Sequence, residues 1–556
     1  MMIVSHRTMP HLGGERNDAM RTYAKRLLGL LLAMALLLSA CAGWDPEAML
    51  AQLGMGHAVT RYEDMVYTRP DMARLEQTRD AVRESAKGED LEDILDSLYA
   101  FYDEYDWFYT NYSLANIKYS TDLTDIYWKQ EYEFCVEKGP SADAALEEVY
   151  MALARSPCRE ELESDRYFGP GFFDSYEGEN VWDQAFMARK EREAALQSRY
   201  YALSKQALGY EYGSEAYYSA CGTEMGELLV EMIRLRQETA ASVGYSDYVQ
   251  FAYDFYYRRD FTPGQVEEYL DTLQQELVPV YRDLAESGVW DRYYDYCTEA
   301  QTMSFLKKAT KNMGGVVEDA FGFLEKGRLY DISYGENKYN SSFEVYLTGY
   351  QSPFIFMNSN ADSYDKLTLA HEFGHFCADY ACYGSYAGVD VAEFFSQGME
   401  YLSLCYGEDV KSLTELKMAG SLCTYVEQSA YAAFEQRMYG LSGDELTVEA
   451  LCALYEEIIR EFGLDAYGYD RREFVTITHF YTNPLYIISY VVSNDGAMQL
   501  YQLEQEEPGA GLELYENSLT TGDGYFLEFL EGAGLESPFA EGRLAEARRT
   551  FEAVLG

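Results

Sequence analysis

From residue 61 to about residue 205 the apolar positions recur at helical spacing. Leu91, Ile94, Leu95, Leu98 and Phe101 form one set, and Ala145, Val149, Met151, Ala152 and Leu153 a less regular one. Recurrence at three and four residues puts side chains on one face of an α-helix. Gly139-Pro140 and Gly169-Pro170-Gly171 predict interruptions in this region. A further amphipathic helix is expected from Glu224 to Val243, ending at Gly244. Another opens at Thr262-Pro263, with the threonine as N-cap and the proline in the first turn. The strongest strand candidates are Ser342–Leu347, which alternates in part, and the compact apolar run Pro353–Asn358. A strand edge beside a site can pair with an extended peptide through main-chain hydrogen bonds. The pattern predicts a mainly α protein with a small β-sheet.

Directly after those strands comes Asp365-Lys366-Leu367-Thr368-Leu369-Ala370, helix-favouring and free of Pro and Gly, and then His371-Glu372-Phe373-Gly374-His375. On a helix, residues four apart share a face, so both imidazoles can reach one ion. Glu372 then stands beside that ion, placed to take a proton from a water held there. The chain has only six histidines: His6, His11, His57, His371, His375 and His479. Two of so few at this spacing argue for a purpose. A catalytic metal needs a third protein ligand. Gly388 to Glu400 reads as a second helix with Asp390 near its start. Its Glu393 lies 18 residues past His375, room for a loop and a return. Two histidines and a glutamate on two helices suit one zinc ion rather than non-haem iron. Glu400, on the same helical face as Glu393, is a candidate acceptor for the ring N–H of a ligand.

Composition narrows the partners. A formal charge of −50 excludes nucleic acid, whose phosphates would be repelled. The 53 tyrosines fit helix packing with hydroxyls at the water boundary. None of the ten cysteines forms a C-x-x-C pair, so no zinc ribbon is implied. Cys135 and Cys158 could bridge in an oxidising compartment. Cys377 and Cys382, beside the metal helix, read as small buried residues. At the N-terminus, Arg21 to Arg26 is basic, Leu27 to Leu38 almost wholly apolar, and Ser39-Ala40-Cys41 small. This is a leader pattern, too short to span a bilayer comfortably, with Met20 as a suitable start. Leu38-Ser39-Ala40-Cys41 resembles a bacterial lipobox, which implies lipid on Cys41 and attachment to the outer face of a bacterial cell membrane.

His371–His375 followed by Val391-Ala392-Glu393-Phe394-Phe395-Ser396-Gln397 resembles the thimet oligopeptidase-like zinc metallopeptidases, particularly the oligoendopeptidase F branch. Tyr67–Asp71, Gly244–Tyr248, Ser352–Phe356 and His479–Tyr486 match as well, and the similarity spans roughly residues 61–535. The resemblance implies a two-lobed helical zincin peptidase whose deep channel admits short oligopeptides and excludes folded proteins. It implies zinc on His371, His375 and Glu393, and Glu372 as general base. His479 and a following tyrosine, Tyr486 first and Tyr490 second, would support the oxyanion of the tetrahedral intermediate, where preorganised donors are worth about 3 kcal/mol each. The chain departs from the family in three places. The loop between His375 and Glu393 is short, Ile488 stands where many relatives have a tyrosine, and Asn340-Ser341-Ser342 replaces a glycine-rich approach to the strand. The expected organisation is a leader over 1–40, a tether over 41–60, an N-terminal helical domain over 61–205 and a catalytic domain over 206–556. A lipoprotein that binds peptides without cutting them is the alternative.

Overall fold

Acidic N-caps set the frame of the N-terminal region in this computed structural model. Asp71, Asp90 and Asp125 each accept hydrogen bonds from the first free amides of the helices Met72–Ser85, Leu91–Thr121 and Ile126–Ala154. The structure describes residues 59–556 except 165, 177–183, 208, 212, 288–294, 385–387 and 520–524. The leader, Cys41 and nearly all of the tether lie outside the described residues. So do His6, His11 and His57.

The three helices enclose a small core of Leu75, Val82, Ile94, Leu98, Phe101 and Phe108 with Leu146, Tyr150 and Phe173. The helix Ile126–Ala154 runs unbroken through Pro140, where the sequence predicts an interruption. An internal proline costs one backbone bond and about 3 kcal/mol. Burial of Cys135, Ala142, Leu146, Val149, Tyr150 and Leu153 on the same helix outweighs that cost.

Leu91–Thr121 is 31 residues long, about 46 Å at 1.5 Å per residue. Its Ile94 to Phe108 half lies in the small core, whereas Leu114 and Ile117 enter a larger one that reaches to Phe551. The helix Gln184–Ala207 also packs into the larger core, through Phe186, Leu196, Tyr200 and Leu203. The divide between the two cores therefore precedes this helix.

The helix expected over 224–243 spans Thr223–Ser242. Thr262 and Gln265 form the reciprocal cap of the helix Pro263–Glu276. A three-stranded sheet has the order β1-β3-β2, with β1 Tyr330–Asp331, β2 Ser342–Leu347 and β3 Ser352–Met357. β2 and β3 pair antiparallel from Ser342 opposite Met357 to Leu347 opposite Ser352, and β1 runs parallel to β3. Two residues are too few to leave a periodic signal, so β1 was not legible beforehand. β3 is buried throughout, and β2 forms an edge of the sheet, packed against the helix that carries His371.

All described cysteines are free, Cys135 and Cys158 included. Cys377 is buried as expected, but Cys382 is only partly so. Among the described residues no helix is long and apolar enough to cross a membrane.

Candidate active site

β3 leads into the helix Asp365–Cys382 through a turn pinned by the buried Asp365. Its carboxylate accepts from Ser359 Oγ at 2.6 Å and from the amides of Asn360 and Ala361, each at 3.0 Å. This anchors the first turn of the helix that presents His371, Glu372 and His375. The helix Val389–Tyr406 crosses it at Gly374, where a Cβ would stand 2.4 Å from Phe395 O and 2.5 Å from Ser396 Cα. Only hydrogen fits there. The close crossing brings Glu393 over both imidazoles.

His371 Nε2 lies 3.5 Å from Glu393 Oε2, and His375 Nε2 lies 3.9 Å from the same oxygen. One ligating atom from each of the three residues falls within 4.8 Å of the others. Ligand bonds of 2.0–2.1 Å in tetrahedral geometry set donors about 3.4 Å apart, so the spacing fits one metal ion. His375 Nε2 is buried without a hydrogen-bond partner, a state that costs energy unless the lone pair meets a cation. Burial, then the neighbouring His371, pushes the His375 imidazolium well below its ordinary pKa, which leaves the ring neutral and able to donate.

His371 is oriented from behind. Its Nδ1 is 2.9 Å from Glu400 Oε1, and Lys417 Nζ is 2.9 Å from Glu400 Oε2. A proton on Nδ1 leaves Nε2 free to face Glu393. Burial opposes the imidazolium of His371, but the Glu400 hydrogen bond and the Glu393 and Glu372 charges raise its pKa to about 9. Burial likewise opposes the Glu400 charge, yet Lys417 and His371 hold its carboxyl below the ordinary range.

Ser342 Oγ, at the start of β2, donates to Glu372 Oε1 at 2.7 Å. Glu372 Oε2 is buried with no hydrogen-bond partner. Burial pushes this carboxyl up to about 7, against the pull of His371 and Ser342.

The segment after His479 closes the far side. Tyr486 Oη donates to Glu393 Oε1 at 2.6 Å. Tyr490 Oη is 3.2 Å from His479 Nε2, and the two rings meet edge to face. Burial holds His479 down at about 3 and the Tyr490 phenol above its ordinary pKa. Both are uncharged hydrogen-bonding groups near neutral pH. The buried Arg236 donates to Phe480 O and Tyr481 O, each at 2.6 Å, and is paired with Glu193 at 2.7 Å.

All seven residues singled out from the sequence therefore meet here, and Glu400 joins them. Ser342, Lys417 and Ser396, which donates to Glu393 Oε2 at 3.2 Å, were missed. Ser342 was visible only as a departure from a glycine-rich run, and a lone lysine in a helix carries no signal.

Family models match in two places: Peptidase M3 N-terminal domain over residues 62–180 and Peptidase family M3 over residues 315–549. The chain belongs to peptidase family M3. That makes it a metallo-oligopeptidase. Its fold is that of solved relatives. One oligoendopeptidase F structure is 21% identical with a TM-score of 0.78, over 89% of this chain and 98% of that one. PZ peptidase A in complex with an inhibitor is 20% identical with a TM-score of 0.79, over 89% and 99%. An oligoendopeptidase F from Bacillus anthracis is 22% identical with a TM-score of 0.75, over 90% and 98%. No curated protein sequence matches. The M3 metallopeptidase is thus mainly helical and two-lobed, with the three candidate ligands in its larger core.

Proposed function

We propose that this M3 peptidase is a zinc-dependent oligoendopeptidase that hydrolyses internal bonds of short oligopeptides. The observation that carries the reading is the unpartnered, buried His375 Nε2 facing the same Glu393 oxygen as His371 Nε2. A zinc ion bound there would supply Lewis acidity, making a water acidic near neutral pH and polarising the scissile carbonyl.

The protein's own groups carry the protons. Glu372, with one oxygen held by Ser342 and the other unpartnered, accepts a proton from the attacking water and returns it to the leaving amine. Tyr490 and His479 donate hydrogen bonds to the oxyanion as uncharged groups, and Tyr486 steadies Glu393 through its second oxygen. This ordering moves the oxyanion role from Tyr486 to Tyr490. The edge strand β2 supports docking of an extended peptide by main-chain pairing. The run ending at Leu38-Ser39-Ala40-Cys41 supports lipid attachment at Cys41 and an extracytoplasmic location on a bacterial membrane.

Mass spectrometry of defined peptides incubated with the purified chain, with and without chelator, tests the reading. Cleavage that stops on chelation and returns with zinc is expected. Glu372→Gln should keep zinc and lose about 10²–10⁴-fold in kcat. A fully active Glu372→Gln, or tight peptide binding with no cleavage by the wild type, would refute it, the second in favour of a peptide-binding lipoprotein.

A further inference from the structure

Leu485 sits between Pro484 and Tyr486 with φ of 66°, a left-handed conformation that a residue bearing a Cβ rarely adopts. It is nearly fully buried, and both sides of its backbone are gripped. Its amide donates to Glu435 Oε1 at 2.7 Å, and its carbonyl accepts from Arg259 Nη1 at 2.9 Å. The carbonyl before it, Pro484 O, accepts from Tyr257 Oη at 2.7 Å. A conformation of this kind persists only where its surroundings over-determine it.

Arg259 makes the widest-reaching of these contacts. Its side chain is wholly buried and lies against the rings of Tyr253, Tyr257 and Phe261, with centroids 4.4–5.3 Å away. Besides Leu485 O, the guanidinium reaches Ser489 Oγ at 2.9 Å and Asp390 through Nε at 3.2 Å and Nη2 at 3.4 Å. Asp390 is in the first turn of the helix that carries Glu393, one turn before that ligand. The same helix holds the segment twice more. Ser493 Oγ donates to Asp390 O at 2.6 Å, and Gln397 Nε2 donates to Tyr490 O at 3.0 Å.

We propose that Arg259 is a positioning residue. Its planar fork locks Leu485 and Ser489 to the start of the Glu393 helix, so that Tyr486 and Tyr490 keep a set distance from the metal ligands. Arginine suits this because one rigid group serves three partners in fixed directions, which a lysine ammonium does not. Breaking the lock lets Leu485 relax out of its left-handed conformation and swings the residues that follow it. Ground-state peptide contacts elsewhere are untouched. The loss falls on the transition state, where donors must already be in place.

This inference rests on the peptidase reading above, and the experiment separates the two. Arg259→Lys keeps a cation beside Asp390 and shortens the fork. In the zinc-loaded enzyme, kcat on a fluorogenic oligopeptide should fall about 30-fold with KM within about threefold, since misplacement by a fraction of an ångström has that scale. Affinity for a phosphinic peptide, which mimics the tetrahedral intermediate, should fall by the same factor. Zinc affinity by chelator competition should fall by no more than about 10-fold, the scale of losing the Tyr486 hydrogen bond to Glu393, because the three ligands remain. Amide exchange at Leu485 to Tyr490 should quicken whether or not peptide is cleaved. Unchanged kcat and exchange in folded Arg259→Lys would overturn the proposal, as would loss of zinc affinity in step with kcat. Should Arg259→Lys not fold, Ser489→Ala removes one arm of the lock and leaves the ion pair. Faster exchange over 485–490 with lower kcat then supports the proposal, and wild-type values overturn it. A wild type that cleaves nothing defeats the peptidase reading, while the exchange data still judge the lock.

Discussion

Gly374→Ala is the most exacting test of how the site is assembled. The new Cβ would meet Phe395 O at 2.4 Å, Ser396 Cα at 2.5 Å and Phe395 C at 2.9 Å. All three are backbone atoms and cannot rotate aside. An ordinary carbon–oxygen contact is about 3.4 Å, so the two helices must part by roughly 1 Å. Glu393 is two residues from Phe395, so that movement opens the 3.5 Å and 3.9 Å gaps to His371 and His375. Stability changes less than geometry. Alanine gains about 1 kcal/mol in helix propensity and overpacking costs about 1–3 kcal/mol, leaving a net loss of roughly 0–2 kcal/mol. The variant should therefore fold, with a slightly lower urea midpoint. Its zinc affinity by chelator competition should weaken about 10–100-fold. Its kcat/KM at saturating zinc should drop about 10²-fold, the scale of a 1 Å misplacement. A folded Gly374→Ala with wild-type zinc affinity and kcat/KM would refute the claim that this crossing sets the ligand geometry.

The two tyrosines should separate kinetically. Tyr490→Phe is expected to lower kcat about 10²-fold with little change in KM, whereas Tyr486→Phe should weaken zinc binding about 10-fold. The reverse pattern would return the oxyanion role to Tyr486. Acid stability should report on Glu193. Burial works against its charge, but Lys190 and Arg236 lower its pKa from an ordinary 4.5 to about 2. A depressed carboxyl stabilises the fold fully above its unfolded pKa, and the contribution fades as pH falls from about 4.5 towards 2. Urea midpoints measured across that range should drop more steeply for the wild type than for Glu193→Gln; parallel curves would contradict the pairing.

Much of the site was readable in one dimension because its chemistry is local. The four-residue interval between His371 and His375 and the seven-residue interval between Glu393 and Glu400 each place two groups on one helical face whatever surrounds them. Thr262 with Gln265 caps its helix for the same reason. The errors have non-local causes. Pro140 looked like a break because proline weakens a helix taken alone, and burial against neighbouring helices overrides it. Phe186 and Leu196 join the larger core through packing with residues remote in sequence, which the local pattern does not record. The sequence left open whether Cys135 and Cys158 pair, and both are free thiols in the structure.

What the chain order alone determined, then, is which groups share a helix face and the caps that start several of the helices, since the 3.6-residue turn and the unpaired first amides act within a few residues. Only the tertiary structure decided which hydroxyl holds Glu393, that Ser342 steadies Glu372, that Lys417 stands behind Glu400, and that Arg259 ties the tyrosine segment to the Glu393 helix. Those contacts join residues from 17 to more than 200 positions apart, as from Lys417 to Glu400 and from Arg259 to Leu485. Their geometry is set by how helices cross, and a helix's own periodicity holds no record of the side chain that another segment will bring to it.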